Sequence, residues 1–140
     1  MFIYLINTLL IAVVVLIHYE ALRQLSVRIP ALAIHSHLRV LVGIAGALLA
    51  HIVEIWLFGL AYYAASMSDD LGALTGRFNG SLMDSVYYSF TAYTSLGTGD
   101  IEPIGDLRFL AGLEALTGLV LIAWTASFMY LEMSRYWREE

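Results

Sequence analysis

The chain has 140 residues, of which 60% are hydrophobic and only 14% are charged, and its mean hydropathy is +0.76. This composition is typical of a membrane protein and excludes an ordinary soluble domain. The chain contains no cysteine, which excludes a disulfide framework and a thiolate metal site. The formal net charge is -5, and the seven basic residues, all arginine, form no basic stripe or helix, so we expect no nucleic-acid partner.

Three apolar stretches are long enough to cross a bilayer, which requires about 20 predominantly apolar residues for each helix. They cover approximately residues 2–19, 38–65 and 107–133. The first stretch lacks the basic start and the small-residue cleavage site of a signal peptide, so we interpret it as a retained helix. Residues 20–30 mix arginines with apolar side chains, and we expect them to lie flat at the inner membrane surface and to end at Pro30.

Arginine is distributed unevenly about these predicted spans. Five of the seven arginines lie between the first two spans or after the third: Arg23, Arg28, Arg39, Arg135 and Arg138. The positive-inside rule therefore places these segments and the C-terminus in the cytoplasm and the N-terminus outside. Residues 66–106 then lie outside, where one arginine, Arg77, accompanies six acids: Asp69, Asp70, Asp84, Asp100, Glu102 and Asp106. We expect an integral protein of a plasma membrane or a bacterial inner membrane.

A shorter helix is predicted within the outer segment. Ser81 followed three residues later by Asp84 is a helix-start signature, and residues 82–93 are too few to span the membrane. A Gly-Thr-Gly backbone at residues 97–99 follows this helix. Non-helical backbone at membrane depth is tolerated only where protein or a water-filled cavity encloses it. A re-entrant loop that several copies of the chain enclose around one axis satisfies this rule.

The segment Thr94-Ser95-Leu96-Gly97-Thr98-Gly99-Asp100 resembles the filter of the potassium-channel family, which reads Thr-Thr-Val-Gly-Tyr-Gly-Asp in the same register. The first threonine, both glycines and the aspartate match, whereas the serine, the leucine and the second threonine depart from the pattern. The aromatic helix before the segment, Pro103 after it and the two flanking spans add to the resemblance, which covers about residues 38–136. It implies two of the three transmembrane helices, a re-entrant pore helix and a filter loop in a tetrameric pore. With the first apolar stretch, which lies outside the resemblance, we expect an all-α membrane protein with three transmembrane helices per subunit.

The resemblance also implies a division of the chain into two regions. Residues 1–37 form an extra N-terminal transmembrane helix and an inner-surface linker, and residues 38–140 form an ion-channel pore domain. Within the pore domain we expect four parts: an outer helix at 38–65, a pore helix at 82–93, a filter at 94–100 and an inner helix at 107–133.

The function implied by the resemblance is passive cation conduction, without enzyme activity and without a cofactor other than permeant K⁺. A cation that leaves water needs its hydration shell replaced, and rings of backbone carbonyls can do this. We expect K⁺ to bind at four such carbonyls: those of Ser95, Leu96, Gly97 and Thr98. The expected partners are identical subunits in a homotetramer, membrane lipids and monovalent cations, and a regulatory partner protein remains an open alternative.

Thr98 is the departure from the family pattern that bears most on function. In the family, the tyrosine at this position packs outward and helps to set the width of the filter, and threonine cannot fill that volume. The neighbouring Tyr87, Tyr88 and Tyr93 are candidates to compensate. Three alternatives therefore stay open: a potassium-selective channel, a weakly selective cation channel, and a channel-like accessory membrane protein that does not conduct.

Two glycines in the third span are candidate gating hinges. Gly118 lies near the hinge position of the family's inner helix, and Gly112 lies closer to the start of the span. Close helix packing is the alternative explanation, because small residues are common where membrane helices touch. Four further residues of this span are candidates for lining a cavity: Thr117, Ile122, Thr125 and Phe128.

Three ionisable residues fall inside the predicted spans, where such groups are costly and suggest function. His51 and Glu54 share one face of the second span, and Glu114 lies in the third. We expect a buried polar network behind the pore helix, with Thr91 or Ser89 as partners. A metal site of an intramembrane enzyme is the rival hypothesis, since histidine and glutamate bind zinc. The lack of a further nearby histidine or aspartate argues against this rival.

Overall fold

The structure, a computed structural model, describes residues 2–68 and 71–137. Asp69, Asp70 and Arg138, which entered the charge distribution, lie outside the described residues. The elements follow one another in this order: α1 (Phe2–Arg28), α2 (Ser36–Ser66), β1 (Ala73–Gly76), α3 (Leu82–Tyr93), β2 (Ile101–Ile104) and α4 (Leu107–Tyr136). Helices α1, α2 and α4 are each long and apolar enough to cross a membrane. The prediction of an all-α membrane protein with three spanning helices and a shorter fourth helix is confirmed.

Helix α1 extends well beyond its predicted end. Residues 20–30 were expected to lie flat at the membrane surface as a separate segment, and this expectation is wrong. The helix continues without a break to Arg28, and a 3₁₀ turn at Ile29–Ala31, which contains Pro30, follows it. The expected stop at Pro30 therefore holds, but the change of direction after residue 19 does not occur.

The side chains of this extension explain why it stays helical and packed. Leu22 is buried, and Leu25 lies directly against Gly46 of α2, where an added Cβ would be 2.5 Å from a leucine methyl. Arg23 is half exposed and forms a salt bridge of 2.8 Å with Glu20 on the same face of the helix. The charges that suggested a surface segment therefore occupy the outward face of a helix whose other face packs on α2.

Helix α3 begins with the predicted serine cap. The Ser81 hydroxyl oxygen accepts a hydrogen bond of 3.1 Å from the Asp84 amide, and the Asp84 carboxylate accepts one of 2.9 Å from the Asn79 amide. The first contact satisfies a backbone donor that a helix start leaves without a partner, and it confirms the predicted start. With 12 residues, α3 is about 18 Å long, which is too short to cross the hydrocarbon core.

An antiparallel ribbon joins the two ends of the outer segment. Strand β1 precedes α3 and strand β2 follows the filter segment (residues 94–100), and Gly76 lies opposite Ile101 in the register. Gly76 has a φ of +88°, and an added Cβ would be 2.3 Å from the Asp100 carbonyl oxygen, so this position requires glycine. The ribbon fixes both ends of residues 77–100 beside each other. The pairing of these two strands was not predicted from the sequence.

Helix α4 packs closely against the end of α3 at Gly118. An added Cβ at Gly118 would be 2.1 Å from the backbone carbonyl oxygen of Tyr93, the last residue of α3. An added Cβ at Gly112 would have no described atom within 4 Å outside its own helix backbone and chain neighbours. Close packing is therefore a requirement at Gly118 and not at Gly112. The gating role of either glycine stays a prediction.

This difference yields a matched pair of substitutions in one helix. We expect Gly118→Ala to lower the free energy of unfolding by about 1–3 kcal/mol, because the methyl group overlaps the Tyr93 carbonyl. Gly112→Ala should raise it by about 0.5–1 kcal/mol, because alanine loses less conformational freedom in a helix. Thermal unfolding of the detergent-solubilised protein measures both effects. Equal midpoints for the two variants would show that the close α3–α4 contact is absent.

Candidate ion-conducting site

The filter segment is attached to the end of α3 by backbone hydrogen bonds. The Ser95 amide donates to the Ala92 carbonyl at 3.0 Å, and the Gly97 amide donates to the Thr91 carbonyl at 3.2 Å. The last carbonyls of a helix have no partner within the helix, so these loop amides satisfy them. The inner half of the filter segment thus folds back onto the helix that precedes it.

The backbone of the filter segment alternates in handedness. Ser95, Gly97 and Gly99 have φ values of +57°, +58° and +75°, while no residue between them has a positive φ. Alternation of left-handed and right-handed residues turns successive carbonyls toward one side of a chain, which a carbonyl-lined path requires. Glycine adopts this conformation freely, whereas for Ser95 it costs about 1–2 kcal/mol.

Polar contacts hold the outer end of the filter segment. The Thr98 hydroxyl donates to one carboxylate oxygen of Asp100, and the Tyr87 hydroxyl of α3 donates to the other at 3.1 Å. The Tyr87 and Thr98 hydroxyl oxygens are themselves 3.3 Å apart. The Asp100 carbonyl accepts a hydrogen bond of 2.8 Å from the Arg77 amide next to β1. This set of contacts, the Asp100 brace, connects the filter segment to both α3 and the ribbon.

Of the three candidate tyrosines, Tyr87 is the one that contacts Thr98. Tyr87 contacts the filter segment through its hydroxyl group. Tyr88 instead packs edge to face on Tyr62 of α2, with ring centroids 4.9 Å apart. Tyr93 points its hydroxyl into a buried polar cluster. The smaller Thr98 side chain is therefore stabilised by hydrogen bonds rather than by aromatic packing.

The Asp100 carboxyl group has an altered acidity because of these contacts. The Thr98 hydroxyl, with a smaller contribution from the Tyr87 hydroxyl, holds the pKa of Asp100 below its usual value of 3.8. Hydrogen bonds to the charged form of a carboxyl group favour that form. Because the pKa of Asp100 is lowered in the folded loop, the brace stabilises the fold at pH values above 3.8. This stabilisation is lost as the pH falls through the lowered pKa.

Behind α3, Glu114 joins three helices. Its carboxylate accepts a hydrogen bond of 2.6 Å from the Tyr62 hydroxyl of α2 and lies 2.5 Å from the Ser89 hydroxyl of α3. All three side chains are buried. Ser89 is thus the partner that was expected behind the pore helix. Thr91 is not, because its hydroxyl donates to the Tyr88 carbonyl within α3.

Glu54 lies in a second, separate cluster, so the expected single network of three ionisable residues is divided. The Glu54 carboxylate lies 2.8 Å from Nδ1 of His18 and 3.3 Å from Nδ1 of His51, and it accepts a hydrogen bond from the Tyr93 hydroxyl. His18 is fully buried in α1 and was missed in the sequence, where no further histidine was expected near His51 and Glu54. The rule that singles out ionisable residues within apolar spans applies equally to His18 and was the signal available.

A cavity of about 400 Å³ adjoins this second cluster between α2, α3 and α4. Two of the predicted cavity residues, Ile122 and Thr125, line it together with His51 and Tyr93. Thr117 instead donates its hydroxyl proton to the Leu113 carbonyl of its own helix. Phe128 lines a different cavity, which lies between α1 and α4.

Comparison with known proteins agrees with this geometry. A family model described as "Ion channel" matches residues 41–134, about two thirds of the chain. The matched range contains α3, the filter segment and most of α2 and α4, and α1 lies outside it. No curated protein and no solved structure matches the chain.

The Asp100 brace gives a testable pH dependence. Tyr87→Phe removes one hydroxyl donor, so we expect the pKa of Asp100 to rise toward 3.8, because its charged form loses a hydrogen bond. The ¹³C-carboxyl shifts of aspartate-labelled protein, followed over a pH series, measure this change. Tyr130→Phe is the control, since Tyr130 is 68% exposed on α4. An Asp100 titration that is identical in the Tyr87 variant and the control would contradict the brace.

Proposed function

The chain belongs to the ion-channel family, and on this premise we propose that it is a passive, homotetrameric cation channel that prefers potassium. The observation that carries the proposal is the alternating handedness at Ser95, Gly97 and Gly99, directly after a short helix and between two membrane-spanning helices. The proposed ion path is the filter segment. Four residues supply the coordinating backbone oxygens: Ser95, Leu96, Gly97 and Thr98.

The preference for potassium rests on the backbone rather than on side chains. Carbonyl rings replace the hydration shell of the ion, and their positions depend on φ and ψ along the segment. Both glycines that permit these angles are present, and the Asp100 brace holds the outer end where the family uses a tyrosine. Potassium coordination is therefore compatible with Thr98.

Assembly around an axis follows from the exposure of the filter segment. Residues 94–99 are all exposed in the single chain. At membrane depth such backbone must be enclosed by protein or must line a water-filled path, which four copies around one axis provide. The C-terminal end of α3 precedes the segment, and its partial negative charge favours a cation at that end.

The proposed setting is a plasma membrane or a bacterial inner membrane, with the N-terminus outside and the C-terminus in the cytoplasm. In this orientation the filter segment opens to the outer side, where acids such as Glu102 and Asp106 raise the local cation concentration. Membrane lipids and the permeant K⁺ are the proposed partners. The proposal includes neither an enzyme activity nor a cofactor.

Reversal potential is the experiment that tests the proposed function. The purified protein is incorporated into planar bilayers with potassium on one side and sodium on the other. We expect the current to reverse near the potassium equilibrium potential. Reversal near zero with clear current would instead establish a weakly selective cation channel. Tetramers that pass no current would favour the non-conducting accessory protein.

A comparison of two glycine variants distinguishes an effect on conduction from an effect on folding, because both glycines have the same backbone requirement. Gly97 and Gly80 have φ values of +58° and +82°, and an added Cβ at either would have no described atom within 4 Å beyond its chain neighbours. Alanine at either position should lower the free energy of unfolding by about 1–2 kcal/mol, because the backbone at both positions must stay left-handed. Only Gly97→Ala should reduce potassium flux into liposomes, because only Gly97 lies in the proposed ion path. Equal flux through the two variants would contradict that path.

A further inference from the structure

The second buried cluster brings together side chains from all four helices. His18 comes from α1, His51 and Glu54 from α2, Tyr93 from α3 and Thr125 from α4. One ligand atom from each of His18, His51 and Glu54 lies within 4.8 Å of the other two. His18 and Glu54 are completely buried, and the His51 side chain is 12% exposed.

These three residues have the ligand types and the spacing of a metal site. Two imidazoles and one carboxylate form a donor set that zinc uses in proteins, with a fourth position left for another ligand. Metal–ligand distances of about 2.0–2.1 Å place two ligand atoms of a tetrahedral zinc site about 3.3 Å apart. The Glu54 carboxylate oxygens lie 2.8 Å from His18 Nδ1 and 3.3 Å from His51 Nδ1. Both Nδ1 atoms thus face the Glu54 carboxylate, each beside a different one of its oxygens.

Thr125 orients both imidazole rings toward Glu54. Its hydroxyl oxygen lies 2.9 Å from Nε2 of His51 and 3.2 Å from Nε2 of His18. Histidine ligands of metals generally use their second ring nitrogen for such an outer contact, which fixes the orientation of the ring. With both Nε2 atoms directed at Thr125, both Nδ1 atoms are left on the side of the carboxylate.

The contacts of the cluster require one more proton than its side chains provide when Glu54 alone is charged. Five hydrogen-bond contacts connect the five side chains. When Glu54 is ionised and both imidazoles are neutral, the other four side chains supply one proton each, so one contact has no proton. A buried carboxylate also requires a compensating partner. A metal ion between Glu54 and the two Nδ1 atoms compensates the carboxylate and takes the place of the contacts to these nitrogens. Both Nε2–H groups then donate to Thr125, and every remaining contact has a proton.

We propose that His18, His51 and Glu54 bind one divalent transition-metal ion of the zinc type, which joins α1 to α2 and, through the outer contact of Thr125, to α4. Imidazole and carboxylate ligands without a thiolate suit Zn²⁺, Ni²⁺ or Cu²⁺. The Tyr93 hydroxyl, which lies 2.8 Å from His51 Nδ1 and donates to Glu54, is adjacent to the proposed ion. The adjoining cavity of about 400 Å³ reaches His51, Tyr93 and Thr125 and supplies the entry path. The site is independent of whether the filter segment conducts.

Metal binding by the purified, tag-free protein in detergent tests this proposal. The protein is dialysed against Zn²⁺ with a competing chelator, and bound zinc is measured by mass spectrometry. We expect about one Zn²⁺ per chain. Thr125→Val should weaken the affinity by about 10–100-fold through loss of the outer contact, and His18→Gln or Glu54→Gln should weaken it further.

His35 and His37 form an exposed histidine pair with ring centroids 5.7 Å apart. This pair is a competing zinc site, so a control variant without it is needed. The double variant His35→Gln/His37→Gln should keep the stoichiometric zinc.

Co²⁺ bound to the wild-type protein should give the visible absorption of a tetrahedral site, a measurement that does not depend on any variant folding. Wild-type protein without stoichiometric zinc would overturn the proposal and would leave a proton as the charge that completes the cluster. Zinc that persists in Glu54→Gln, or that disappears with the histidine pair, would overturn it as well.

Discussion

Backbone that leaves a helix at membrane depth must be enclosed, and the other elements of this chain are arranged around that constraint. Residues 94–99 have the only exposed, non-helical backbone between α3 and β2 in the described part of the chain, and two elements hold them. The end of α3 holds the inner half through amide–carbonyl bonds, and the ribbon with the Asp100 brace holds the outer half. The segment is thus positioned at both ends, while its middle is exposed in the single chain.

Helix α3 contacts buried carboxylates with one face and the Asp100 brace with another. Ser89 and Tyr93 are four residues apart, so they lie on one face, and they meet the carboxylates of Glu114 and Glu54 respectively. Tyr87 lies on another face and reaches the Asp100 brace. In lipid, apolar burial gives little net drive for helix association, so interhelical hydrogen bonds and close packing carry more of it. The two buried carboxylates therefore fix the position of the helix from which the filter segment begins.

The strongest sequence signals predicted the framework well. Hydropathy identified the three long helices, and the capping pattern at Ser81 and Asp84 located the start of α3 at Leu82. The end of α1 was predicted less well because charge was taken as a sign of a surface segment. A helix that packs on one face, as at Leu22, can carry an ion pair such as Glu20–Arg23 on the other without ending.

Long-range contacts were the part that the sequence could not supply. The pairing of β1 with β2 joins residues on either side of α3, and short four-residue strands leave little periodic signal. His18 and Glu54 are 36 positions apart, and nothing local indicates that they touch. Nothing local in the sequence indicates that Glu54 and Glu114 lie in two separate clusters either. The polar residues could be identified from their apolar surroundings, but their partners depended on how four helices pack.

The most direct test of the ion path is a structure of the assembled protein determined in Tl⁺, which substitutes for K⁺ and scatters strongly. We expect four chains around one axis and anomalous density on that axis at the carbonyls of residues 95–98. An assembly without an axis through the filter segment, or an ordered filter segment with thallium bound only elsewhere, would contradict it.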